Sequence, residues 1–287
     1  MQDIIQFLGL PFLECLLMIG ILGYLGIHVL EREVIFIDIA LAQISAVGSI
    51  IAFIIFKTEH HSLLSYICAL SFTLIAAAFY SLVRRKITQI SLEAVIGVSY
   101  AIAAATAFFL LATSAEGHTH IQHMLTGSIL WAKWSDILLG GIIFSVTGVF
   151  FYLFRKIFKK ISNDYKSGVV EGVSLVWWDF LFYALLGVVI TFSVRIAGIL
   201  VVFSFLIIPA TISAMFSSRF GVRLLIAWLV GAIVSILGLM FSYRFDFSVG
   251  PSVVTFLGLA LIIVSVVKRA FSRIDMDGIR KNIIPML

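Results

Sequence analysis

The sequence predicts an all-α, polytopic membrane protein, with about nine spanning helices in a single transmembrane domain covering residues 1–287. Three observations predict it. First, 62% of the residues are hydrophobic and mean hydropathy is +1.15. Second, only 12% are charged, against about 25% in a soluble domain, which is too little to clothe a water-facing exterior. Third, the apolar residues come in runs of about 20, the length that crosses a hydrocarbon layer of roughly 30 Å as a helix.

The runs are Pro11–Leu30, Val34–Phe56, Leu63–Val83, Ile90–Thr113, Ile137–Phe154, Val176–Val194, Ile196–Phe216, Val222–Tyr243 and Gly250–Val267. The first is read as a retained helix, because no Lys or Arg precedes Arg32 and a signal peptide needs a basic start. The second carries Asp38 near its start, so an irregular entrance into the membrane is expected there. In the fourth, Gly97, Ala101 and Ala105 recur four apart, as do Ala42 with Ala46 and Ser45 with Ser49 in the second. Such stripes let helix backbones approach in lipid. The sixth and seventh have almost no loop between them, and Arg195 at their junction is placed to satisfy helix C-terminal carbonyls. Pro209 removes a helix hydrogen bond and is expected to kink the seventh. The longest non-apolar stretches, Ser114–Asp136 and Arg155–Leu175, are too short for a core of their own.

Taking alternate loops as one side, 16 of the 20 Lys and Arg residues fall together, including Arg84-Arg85-Lys86, Arg155-Lys156, Lys159-Lys160 and Lys268-Arg269. The positive-inside rule makes that side cytoplasmic, with the N-terminus outside and the C-terminus inside. The net charge of +5 therefore reflects lipid topology, and no nucleic-acid partner is expected. Cys15 and Cys68 lie within apolar runs and read as packing residues.

Motifs for chemistry are few. There is no G-x-x-x-x-G-K-[ST], H-E-x-x-H or G-x-S-x-G, so neither an enzyme nor a cofactor is expected. Five of the six histidines fall on the outer side: His60 and His61 in one loop, His118, His120 and His123 in another. Neutral imidazole is a common transition-metal ligand, and three within six residues suit capture of a cation. Ionisable residues within spans are costly and read first as functional candidates. Here these are Glu14, Asp38, Glu93 and Asp179. Glu93 and Asp179 lie near an inner end and are expected to snorkel or to pair with the basic clusters there. Asp38, with Gln43 and Ser45 on the same span, supplies a carboxylate, an amide and a hydroxyl to line a cation path.

Three passages resemble the permease subunits of ABC-type zinc and manganese uptake systems. They are Ile96–Leu111 followed by His123-Met124-Leu125-Thr126-Gly127-Ser128-Ile129-Leu130, the span Ala197-Gly198-Ile199 through Pro209-Ala210, and the turn Phe245-Asp246-Phe247-Ser248-Val249-Gly250-Pro251. The resemblance implies a permease homodimer in the inner (cytoplasmic) membrane, in contact with membrane lipid. It also implies an extracytoplasmic metal-binding protein that delivers the ion and cytoplasmic ATP-binding-cassette subunits that drive alternating access. The segment Ser213–Arg223, holding Arg219 and Gly221, is the candidate for pressing on the ATPase. The family carries an Asp and a His four apart in its second span. Aligned on Ala40-Leu41-Ala42-Gln43, this chain has Gln43 for the His and Ile39 for the Asp, with Asp38 one position away. Gln43 is a weaker transition-metal ligand than imidazole. The competing expectation is a secondary transporter driven by an ion gradient, relaying protons through Asp38 or Glu14.

Overall fold

A computed structural model describes residues 2–57, 62–86, 90–112, 127, 129–163 and 174–283. Among them are ten α-helices, one 3-10 turn at Ile129–Trp131 and no strand. The helices are α1 (Gln2–Glu31), α2 (Ile37–Phe56), α3 (Leu63–Lys86), α4 (Leu92–Ala112), α5 (Trp134–Leu153), α6 (Arg155–Asn163), α7 (Leu175–Ala197), α8 (Ile199–Phe216), α9 (Phe220–Phe245) and α10 (Val249–Ile283). Nine of them, all but α6, are long and apolar enough to cross a membrane. In lipid every backbone N–H and C=O needs a partner inside the protein, so apolar runs of this length become helices.

Two packed groups make the bundle. α2, α3, α4 and α7 lie against one another, as do α1, α8, α9 and α10, while α5 packs on α1 and α7. The core runs through Met18, Leu22 and Leu25 of α1, Leu41 of α2, Phe182 and Leu186 of α7 and Phe205 and Leu206 of α8, all essentially inaccessible. Its outer surface is apolar as well: Ile102 and Phe109 of α4, Ile142 and Val146 of α5 and Ile262 of α10 are exposed. That exterior matches lipid as the solvent.

Close approach is made by small residues. A Cβ on Gly26 of α1 would lie 1.9 Å from the Leu206 carbonyl oxygen, one turn ahead of Pro209 in α8. A Cβ on Gly48 of α2 would lie 2.8 Å from the Cys68 carbonyl oxygen in α3. Of the small-residue stripes, Ala42 and Ala46 are buried, whereas Ala101 and Ala105 are exposed, and a Cβ on Gly97 meets nothing within 4 Å. The α4 stripe does not pack within this chain because α4 uses its Ile96, Ala103, Ala107 and Leu111 face for that purpose.

The turns explain the irregular entrance expected before Asp38. α1 ends in a Schellman arrangement, with Glu33 at φ 55°, the Val34 N–H on the Val29 carbonyl at 3.2 Å and the Glu33 N–H on the Leu30 carbonyl at 3.2 Å. This tight reversal places Asp38 in the first turn of α2. At the α7–α8 junction only Gly198 interrupts the helices, at φ 81°. The segment Arg155–Leu175, read from sequence as a loop, opens with the amphipathic helix α6.

Candidate functional site

The helices bring most of the candidate residues to two places. The first is the end of the bundle where α1 and α3 finish and α7 and α9 begin, here called the basic end. Asp179 of α7 is 1% exposed, and its two oxygens accept from two guanidiniums. Arg32 Nη1 donates to Oδ1 at 2.8 Å, and Arg84 of α3 donates to Oδ2. Arg32 is itself buried, lies 3.9 Å over the Phe182 ring and donates through Nε to Ser162 Oγ of α6 at 3.1 Å. His28 Nδ1 meets the same hydroxyl at 2.9 Å. Glu31 accepts from Arg223 Nη1 of α9 at 2.8 Å. These polar contacts together tie α1, α3, α6, α7 and α9. The expectation that Asp179 pairs with basic residues holds. Glu93 instead accepts the Phe36 N–H at 3.1 Å, bracing the turn between α1 and α2.

Sequence reasoning missed Arg32 and His28 as the hub. Arg32 stands in a short charged break between two spans and reads as an interfacial loop residue. The only signal was the single buried-run histidine one turn before it.

The coupling candidates divide. Ser213 is fully buried and donates to the Ala210 carbonyl at 2.7 Å, and Arg223 is committed to Glu31. Arg219 and Gly221 are exposed at the basic end, free of that framework.

The second place is α2. Asp38 is 2% and Gln43 5% exposed. Neither Asp38 oxygen, nor Gln43 Oε1, has a hydrogen-bond partner among the described residues. Five positions apart, the two side chains point about 140° apart around a helix with 3.6 residues per turn. Both are buried polar groups held within the helix packing, but on different faces. Glu14 of α1 is likewise buried with no partner for its oxygens among the described residues. Among those residues no group of three or more His, Cys, Asp and Glu is placed to hold a metal. His60, His61, His118, His120 and His123 lie outside them.

At the opposite end a cavity of about 640 Å³ opens beside Tyr66, Lys133, Asp136 and Arg195. Arg195 projects over the Tyr66 ring at 5.5 Å. Near it two of the passages that prompted the family resemblance meet. A Cβ on Gly127, at φ 66°, would lie 2.1 Å from the Ala197 carbonyl carbon. Only glycine fits there, for both conformation and space. Pro209 is buried within α8, between Leu206 and Ala210, the two residues that meet α1 at Gly26.

Residues 5–268 match the ABC 3 transport family, so the match spans all nine membrane helices. This chain belongs to the ABC 3 transport family. Within that family it is 28% identical over 193 residues to the manganese transport system membrane protein MntC of Listeria monocytogenes, covering 66% of this chain and 67% of that one. It is 26% identical over 190 residues to the chelated iron transport system membrane protein YfeC of Yersinia pestis, covering 66% and 64%. Its fold is similar to that of PsaBC from Streptococcus pneumoniae, solved in complex with a Fab. The TM-score is 0.76 at 21% identity over 91% of this chain and 93% of that one. The ABC 3 family is one of transporters.

Proposed function

We infer that this chain is the membrane-spanning permease of an ABC importer for a divalent transition-metal ion. The observation that carries the reading is the family match over residues 5–268 on a bundle of nine spans. Manganese and iron, named for the two relatives above, are the preferred cargo. Zinc rests on the passage-level resemblance alone.

In this reading the basic end faces the cytoplasm, because Lys and Arg are retained on that side. The N-terminus then lies outside and the C-terminus inside, across the inner membrane. ATP-binding-cassette subunits engage the basic end through Arg219 and Gly221, with Ser213 and Arg223 anchoring the ends of that segment to α8 and α1. A metal-binding protein docks at the opposite end, and two copies of the chain form the conduit. His60, His61, His118, His120 and His123 receive the ion. Asp38 and Gln43 contact it in passage, one at a time, since they occupy different faces of α2. Successive weak contacts suit transit, which requires release as well as capture.

The test is uptake of manganese, iron and zinc in cells with and without this chain, with ATP and the proton gradient collapsed separately. Loss of uptake with ATP, and co-purification of a P-loop ATPase, is expected. Uptake that follows the proton gradient and not ATP would refute the importer and favour a relay through Glu14 or Asp38.

A further inference from the structure

We propose that the groove between α1, α5, α6 and α9 at the basic end holds one anionic phospholipid, its phosphate at Arg155, Lys156 and Lys159 and an acyl chain along the groove floor. The groove encloses about 610 Å³. Its floor is apolar: Ile21 of α1, and Leu224 and Trp228 of α9. Three glycines widen it. A Cβ on Gly20 or Gly221 meets nothing within 4 Å, and one on Gly148 meets only Ile21 Cδ1, at 3.9 Å. The Trp228 indole donates to the Gly20 carbonyl at 3.1 Å, which fixes it across α1 and α9.

The rim is cationic. α6 buries Phe158, Ile161 and Ser162 and exposes Arg155, Lys156 and Lys159. None of those three forms an ion pair with a carboxylate of the described residues. Glu31, on the adjoining turn of α1, gives one oxygen to Arg223 and lies within electrostatic reach of Lys159. His28, 1% exposed, lines the wall of the groove, and its Nε2 has no hydrogen-bond partner among the described residues. Its Nδ1 is held by Ser162, so the ring cannot turn away.

An apolar channel under three exposed cations, with one buried polar group inside, matches an amphiphile with a phosphate head. A free phosphate would meet mostly carbon in the groove. The location agrees, because the rim begins where the span Trp134–Leu153 ends, the depth of lipid headgroups. The inference rests on the membrane-spanning fold and not on the cargo, so lipid retention and metal uptake fail independently.

The experiment is native mass spectrometry of the detergent-solubilised transporter after exchange into phosphatidylglycerol or phosphatidylcholine. One retained phosphatidylglycerol per chain is expected. Arg155→Gln/Lys156→Gln/Lys159→Gln should lower the preference over phosphatidylcholine by about tenfold or more, since each cation at a membrane surface contributes roughly a fivefold factor. Gly148→Leu, which fills the groove, should abolish retention of both lipids. Lys268→Gln/Arg269→Gln, which removes exposed charge elsewhere, should change nothing. Equal retention of the two lipids by the wild-type chain would overturn the proposal. So would retention unaffected by Gly148→Leu, or phosphatidylglycerol released by millimolar inorganic phosphate alone.

Discussion

Replacing Asp179 by Leu tests the network that holds the basic end together. The carboxylate is buried between Arg32, whose side chain is wholly inaccessible, and Arg84, which is 13% exposed. Without it, two guanidiniums lose the carboxylate they share. Arg84 can turn toward water, but Arg32 cannot. Breaking a buried pair by removing one partner costs about 3–5 kcal/mol, whereas replacing both by apolar groups of similar volume is often close to neutral. Arg32→Met leaves Asp179 paired with Arg84, so its cost is smaller, about 1.5–3 kcal/mol for the lost charged hydrogen bond. The double variant Arg32→Met/Asp179→Leu should recover at least about 2 kcal/mol relative to Asp179→Leu. For a chain of this size each kcal/mol corresponds to roughly 2–4 °C, so Asp179→Leu should lower Tm by about 10 °C. The assay is thermal unfolding in detergent, followed by a thiol-reactive dye that reports exposure of the buried Cys15. Membrane abundance of each variant is measured in parallel. A Tm for Asp179→Leu within about 3 °C of wild type, or strictly additive single and double variants, would refute the argument.

Gly26→Ala should separate α1 from α8, because its Cβ would strike a backbone carbonyl, at a cost of about 3 kcal/mol or more and visible as loss of folded protein. Gly97→Ala, with open space around it, should be neutral or stabilise α4 by up to about 1 kcal/mol. Asp38→Asn should insert normally yet slow metal uptake at least about tenfold, a loss of roughly 1.4 kcal/mol in transit; full activity would remove Asp38 from the path. Replacing His118, His120 and His123 together by Ala should raise the metal concentration needed for half-maximal uptake without lowering the maximal rate. Unchanged uptake at limiting metal would reduce them to loop residues.

The spans were legible because lipid leaves an apolar run of about 20 residues a single way to satisfy its backbone. That the basic loops share an end was legible for a related reason: Arg32, Arg84 and Arg223 do gather at one end, where alternate loops placed them. The small-residue stripes were only half legible. Ala42–Ala46 and Gly97–Ala105 look alike in sequence, and which of them packs depends on where each helix sits in the bundle. The site was less legible still. Asp38 and Gln43 stood out as polar residues in an apolar run, but the pattern along the chain does not say what surrounds them.

The sequence by itself determined that this protein lives in lipid, how many helices span it, which loops share a side and which family it resembles. Those properties depend on composition and on order along the chain. Only the tertiary structure decided that Arg32 is a buried hub and that Arg223 is spent on Glu31. It alone brought Gly127 under the α7–α8 junction and made α6 the rim of an apolar groove. Each of those depends on residues more than 65 positions apart, and no local preference encodes such a pairing. It is set by how nine apolar helices fill the space between them.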